Sequence, residues 1–112
     1  MRPTIAALLA VLALATPRSA SAAVDARALF LENCAKCHGD NGDADTDLGT
    51  KYMAQDFTDP DFKKKFNPAK AKKVITNGVK KTKMKGWHGK LSPEEIDALA
   101  HYVMSFPEAQ KK

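Results

Sequence analysis

The chain has 112 residues, 44% of them hydrophobic and 28% charged, with two cysteines and a formal net charge of +5. That length holds one domain at most. Two cysteines exclude a zinc site closed by two cysteine pairs.

The first stretch reads as a leader rather than as part of a fold. Met1-Arg2 is a short positive start, Ile5 to Ala15 an unbroken apolar run, and Ala20-Ser21-Ala22 a small-residue cleavage pattern. A membrane-spanning helix needs about 20 apolar residues, more than this run supplies. Residues 1–22 are therefore expected to be a signal peptide and residues 23–112 the mature domain, with no transmembrane segment. No cysteine lies close enough behind the apolar run to carry a lipid anchor.

From Asp25, the residues Ala26, Leu29, Phe30 and Asn33 follow helical spacing and predict a first helix. Residues 40–49, with four aspartates and the glycines that follow Gly39, predict a loop, and residues 50–59 show no clear period. Asp59-Pro60 opens a short helix with Phe62 and Phe66 on one side. Asn67-Pro68 opens another, with Ala71, Val74 and Ile75 on one face and Asn77-Gly78 at its end. Ser92-Pro93-Glu94-Glu95 is a capping box with a first-turn proline, followed at helical spacing by Ile96, Leu99, Ala100, Val103 and Phe106, up to Pro107. His101 falls on the polar side of that helix and reads as a surface residue.

The first helix leads into Cys34-Ala35-Lys36-Cys37-His38. In an oxidising compartment two cysteines are paired, metal-bound or covalently used. A disulfide across so small a loop adds little stability, because it removes little loop entropy. A thioredoxin-like pair would sit among strands, and no convincing strand pattern is present. Haem attachment uses both sulfurs, one on each vinyl group of a porphyrin, and places His38 beneath the iron as an axial ligand. A mature chain of about 90 residues is also small for a stable core, and a buried haem would add the missing apolar surface.

A second candidate region is the loop Thr82 to Lys90. Its Met84 offers a soft thioether as sixth ligand. Spacing alone leaves the choice open. His88 shares the loop, Met53 lies in the unassigned stretch, and Met104 sits beside the apolar stripe of the last helix.

Taken in order, these residues resemble a class I cytochrome c over nearly the whole mature chain. Ala26 and Phe30 match the family's small residue and aromatic on the first helix. Cys34, Cys37, His38 and Gly39 match its haem motif, and Leu99 and Tyr102 its last-helix contact. Met84, followed by Trp87 and Gly89-Lys90-Leu91-Ser92, stands where the family has its distal methionine. The resemblance implies an all-α class I cytochrome c fold, about four short helices wrapped around one covalent haem c. It also implies His38 as proximal and Met84 as distal iron ligand. Two departures stand out: Lys85 replaces the proline that follows the family's methionine, and no proline occurs between His38 and Pro60 to supply the carbonyl that orients the proximal imidazole.

An iron held from both sides has no open position, so the expected function is one-electron transfer and not catalysis. The alternatives are a haem protein with a displaceable sixth position, acting as a peroxidase-like enzyme or gas sensor, and bis-histidine ligation through His88. Eleven lysines and no acid lie between Lys63 and Lys90, whereas Asp40 to Asp61 holds seven acids and one lysine. The expected partner is a redox protein with an acidic docking surface, met by a monomeric carrier in the bacterial periplasm. Nucleic acid is not an expected partner of an exported chain.

Overall fold

A computed structural model describes residues 23–109 and, ahead of them, residues 3, 10, 11 and 13. The leader expected at residues 1–22 thus falls almost wholly outside the described residues. Among the described residues six helices follow one another: α1 (Ala26–Asn33), α2 (Ala35–His38), α3 (Asp47–Tyr52), α4 (Pro60–Lys65), α5 (Pro68–Asn77) and α6 (Pro93–Met104). The described residues form no strand, only two isolated bridges, Gly78 with Lys85 and His88 with Leu91. None of their helices is long and apolar enough to cross a membrane.

The helices begin where short polar side chains cap them. Asp25 accepts from the Ala28 amide at 3.0 Å and Asn67 from the Lys70 amide at 2.8 Å. Asp59 accepts from Asp61 at 2.9 Å, ahead of a proline at the first helical position of α4. The capping box of α6 is reciprocal, Glu95 N–H to Ser92 Oγ at 3.1 Å and Ser92 N–H to Glu95 Oε1 at 2.9 Å. Each cap satisfies amides that the helix leaves without an internal partner.

The core is the place where α1 meets α6. Phe30 is fully buried, its ring 5.2 Å from those of both Tyr102 and Phe106. Leu99 and Ala100 are buried beside it, and Ala100 is small enough to let the two helices approach. α5 packs its Ala71 and Ile75 face on α6, while Phe62 of α4 stacks on Phe66 at 4.9 Å and lies 5.1 Å from Phe57.

Two elements differ from the sequence expectation. Residues 47–49, expected within a loop, begin α3, because the Thr46 hydroxyl caps the Gly49 amide at 2.8 Å and at the same time donates to the Cys37 carbonyl at 2.9 Å. α6 ends at Met104 rather than continuing to Pro107, and the Ser105 amide closes a tight turn on the Tyr102 carbonyl at 3.0 Å. Phe106 therefore lies beyond the helix, yet it folds back into the core with 8% of its surface exposed.

Phe30→Ala removes the ring on which α1 and the Tyr102–Phe106 segment close, and should destabilise the haem-loaded protein by about 3–5 kcal/mol in guanidinium unfolding. Ser92→Ala breaks the capping box and should cost about 1 kcal/mol in the same measurement.

Candidate cofactor and metal centre

The Cys-x-x-Cys-His turn is a short helix of its own. α1 stops at Asn33, the Cys34 amide donates to the Phe30 carbonyl at 2.8 Å, and the chain re-enters helix at Ala35. One turn of helix brings residues three apart onto one side, so Cys34 and Cys37 share a side. Both sulfurs are half-buried and unbridged. Burial, with a smaller contribution from the charge of Cys37, pushes the Cys34 thiol up to about 11. Its sulfur is thus a neutral S–H at neutral pH in an apolar setting, suited to meet an apolar vinyl group.

His38 closes the turn with its ring fixed in two ways. Nδ1 lies 2.9 Å from the Gln55 carbonyl oxygen. A carbonyl only accepts, so Nδ1 carries the proton and Nε2 keeps its lone pair for a metal. The ring also stacks on Phe57, centroids 4.6 Å apart and planes 17° from parallel. Burial lowers the His38 pKa and the bond to Gln55 partly opposes this, so the neutral, ligating form is favoured.

Gln55 and Phe57 are held by their own neighbours. The Phe57 amide donates to the Gly42 carbonyl at 2.7 Å, and the Ala54 amide to the Gly49 carbonyl at 2.9 Å. α3 lies tight against α2: a side chain at Gly49 would overlap the Cys37 and Ala44 carbonyl oxygens. The carbonyl that the sequence left unassigned is therefore that of Gln55. It escaped a reading of residue types because it is a backbone group, and Phe57 escaped because its stretch has no period.

Met84 sits on the loop between α5 and α6, half-buried. The loop is folded as a tight hairpin. The Val79 amide donates to the Met84 carbonyl at 3.0 Å, the Met84 amide to Thr82 Oγ1 at 3.1 Å, and Thr82 Oγ1 to the Val79 carbonyl at 2.8 Å. Gly78 makes the hairpin possible, since at φ 70° it packs where a Cβ would lie 2.6 Å from the Gly86 nitrogen and the Met84 oxygen. Trp87 and His88 then run along the end of α5, their amides on the Ile75 and Thr76 carbonyls at 2.8 and 3.2 Å. Of the other candidate ligands, His88 is exposed, Met53 is 89% exposed at the end of α3, and Met104 packs against the core. His101 is a surface residue, its Nδ1 2.9 Å from the Asp97 carbonyl.

Two unbridged thiols one turn apart, next to an imidazole whose Nε2 is free and whose Nδ1 is anchored, are a donor set that fits a covalently bound haem. Fold and donor set together define the class: a c-type cytochrome. The chain belongs to the family described as cytochrome c oxidase, cbb3-type, subunit III, whose profile matches residues 21–103. It is 37% identical over 89 residues, 80% of this chain, to the cbb3-type cytochrome c oxidase subunit FixP of Azorhizobium caulinodans. The matched region is 25–29% of the FixP subunits' own length.

Among solved structures the chain is similar to the KustC0563 c-type cytochrome, with a TM-score of 0.69 and 33% identity, covering 76% of this chain and all of that one. It is also similar to part of the dihydro-heme d1 dehydrogenase NirN in complex with DHE, with a TM-score of 0.61 and 26% identity, covering 78% of this chain and 17% of that one. The all-α cytochrome c fold expected from the sequence is the fold observed, and family membership brings one covalently bound haem c with its iron.

Replacing either Cys34 or Cys37 with serine should leave a haem joined by one thioether, seen as a red-shifted pyridine haemochrome. Replacing both should leave haem that acid and organic solvent extract completely.

Proposed function

We propose that the chain is a single-electron carrier, with Cys34 and Cys37 as the haem thioether residues and His38 and Met84 as the two iron ligands. The observation that carries this reading is the 2.9 Å contact of His38 Nδ1 with the Gln55 carbonyl, which leaves Nε2 as the ring's only metal-binding nitrogen. The haem supplies one-electron redox chemistry at its iron. The chain supplies everything around it. Gln55 and Phe57 hold the imidazole at one angle, the Val79–Met84 hairpin presents the thioether, and the core of Phe30, Leu99 and Ile75 keeps water out.

With His38 and Met84 both supplied by the chain, neither side chain would have to move between the two oxidation states, which would keep reorganisation small and leave no place for a substrate. A thioether stabilises the ferrous state, and raises the potential above that of a bis-histidine site. The reading is thus electron transfer without catalysis of its own.

Residues 1–22 act in this account as a cleaved signal that delivers residues 23–112 to the periplasm. There the domain works as a monomer with larger redox proteins. The lysines of residues 63–90 would meet an acidic surface on the partner, because that stretch holds eleven lysines and no acid.

Two experiments test this. The unmodified ferrous protein should not bind carbon monoxide at neutral pH, whereas Met84→Ala should bind it at once and show a lower reduction potential. Rapid binding by the unmodified protein would contradict the closed site. Reduction of the ferric protein by an acidic iron–sulfur protein should slow several-fold as screening shortens from about 30 Å at 0.01 M salt to about 8 Å at 0.15 M. A flat salt profile would contradict the lysine docking face.

A further inference from the structure

Thr58 is the one buried polar residue among the described residues, and it lies three positions after Gln55, whose carbonyl holds the His38 ring. Its hydroxyl donates to Asp56 Oδ1 at 2.6 Å, and its amide donates to the same oxygen at 2.8 Å. Two donors on one carboxylate oxygen fix the Asp56 side chain against the backbone that follows it. This reaches His38 because the Gln55 carbonyl and the Asp56 amide belong to one planar peptide unit, which turns only as a whole. Holding Asp56 therefore holds the direction of the oxygen to which His38 Nδ1 donates.

The same residue is tied to the segment that follows α6. The Thr58 carbonyl accepts from the Ala109 amide at 2.8 Å. Phe106, on that segment, stacks on Phe57 with centroids 6.0 Å apart and planes 18° from parallel, and Phe57 stacks in turn on the His38 ring. Phe106 also closes over Gly42, where a Cβ would come within 2.8 Å of its ring, and the Gly42 carbonyl is the acceptor for the Phe57 amide. Shielded from water, such bonds are stronger, and breaking one leaves a partner that solvent does not readily satisfy.

We infer that Thr58 is a positioning residue for the proximal imidazole: its hydroxyl clasps Asp56 and its carbonyl takes the Ala109 amide, so that the segment after α6 sets the carbonyl that holds His38. The inference rests on the proposed role of His38 as an iron ligand. A firm bond from Nδ1 makes the ring a more basic ligand, which favours ferric iron. Loosening the clasp therefore raises the reduction potential.

The test compares the unmodified haem-loaded protein with Thr58→Val, Thr58→Ser, Asp56→Ala and Ser92→Ala. Thr58→Val keeps shape and charge and loses only the hydroxyl. Proton NMR of the ferrous samples reads the exchange of the His38 Nδ1 proton with solvent, and voltammetry reads the potential. Thr58→Val and Asp56→Ala should each speed the exchange about tenfold, the effect of one lost hydrogen bond to a charged group, and Thr58→Val should raise the potential. Thr58→Ser restores the hydroxyl and should return both readouts to those of the unmodified protein. Ser92→Ala weakens the fold away from the brace and should change neither, which separates positioning from general loosening. With the His38 ring protons displaced by the porphyrin ring current, exchange unchanged in Thr58→Val and Asp56→Ala, or raised equally in Ser92→Ala, would overturn this proposal alone. His38 ring protons at ordinary positions would remove His38 as a ligand and overturn the proposed function together with it.

Discussion

The hydrogen bond from His38 Nδ1 to the Gln55 carbonyl, 2.9 Å long, is the contact on which the rest of the site depends. It selects the tautomer in which Nε2 keeps its lone pair, and it restrains the ring. The stacking of Phe57 on the same ring fixes the remaining rotation. Both residues belong to a segment without regular structure, which is anchored by hydrogen bonds from the Phe57 amide to the Gly42 carbonyl and from the Ala54 amide to the Gly49 carbonyl. The polar turn after the haem motif, which looks expendable in the sequence, is thus the brace of the His38 ring.

A domain of this size has little apolar surface to bury, and its core is accordingly one cluster, centred on Phe30 and Leu99. α1 ends against that cluster, and α2 continues from it with the two cysteines. The residues that stabilise the fold therefore also place the two cysteines, and Phe30 is linked to the Cys-x-x-Cys-His turn both by the hydrogen bond from the Cys34 amide to its carbonyl and by its packing on Phe57, which stacks on His38. A covalent haem supplements such a core and restrains the chain at the same time, as other staples do in small proteins.

Much of this was legible in the sequence, for identifiable reasons. α1, α4, α5 and α6 begin at Asp25, Asp59-Pro60, Asn67-Pro68 and Ser92-Pro93, where cap and proline chemistry act locally, so local sequence predicts them. α2 and α3 span four and six residues, too short for a period to emerge. They exist because Thr46 and Gly49 lock them together, a tertiary cause that residue types do not announce. The haem motif was visible because thiol and imidazole chemistry is specific to its residues. The Gln55 carbonyl was not, since every residue offers one, and the missing proline pointed only to a gap. The fold of the distal hairpin, set by Gly78 against Gly86, explains how Lys85 can follow Met84 without the proline that the resemblance leads one to expect.

The electrostatics of the molecule follow the same division into segments. Acidic side chains cluster on the turn, on α3 and around the start of α4, lysines from α4 onward to the loop before α6, and the two groups meet on α4, where Lys64 lies 3.9 Å from Asp61. The central claim is that one iron lies between the Nε2 of His38 and the thioether of Met84. Proton NMR of the diamagnetic ferrous protein tests it most directly, because the porphyrin ring current strongly displaces the resonance of a methyl group placed above the iron. The account predicts one far-upfield methyl resonance, assigned to Met84, together with a slowly exchanging Nδ1 proton on His38. An undisplaced Met84 methyl, or displaced ring protons of His88 in its place, would contradict it.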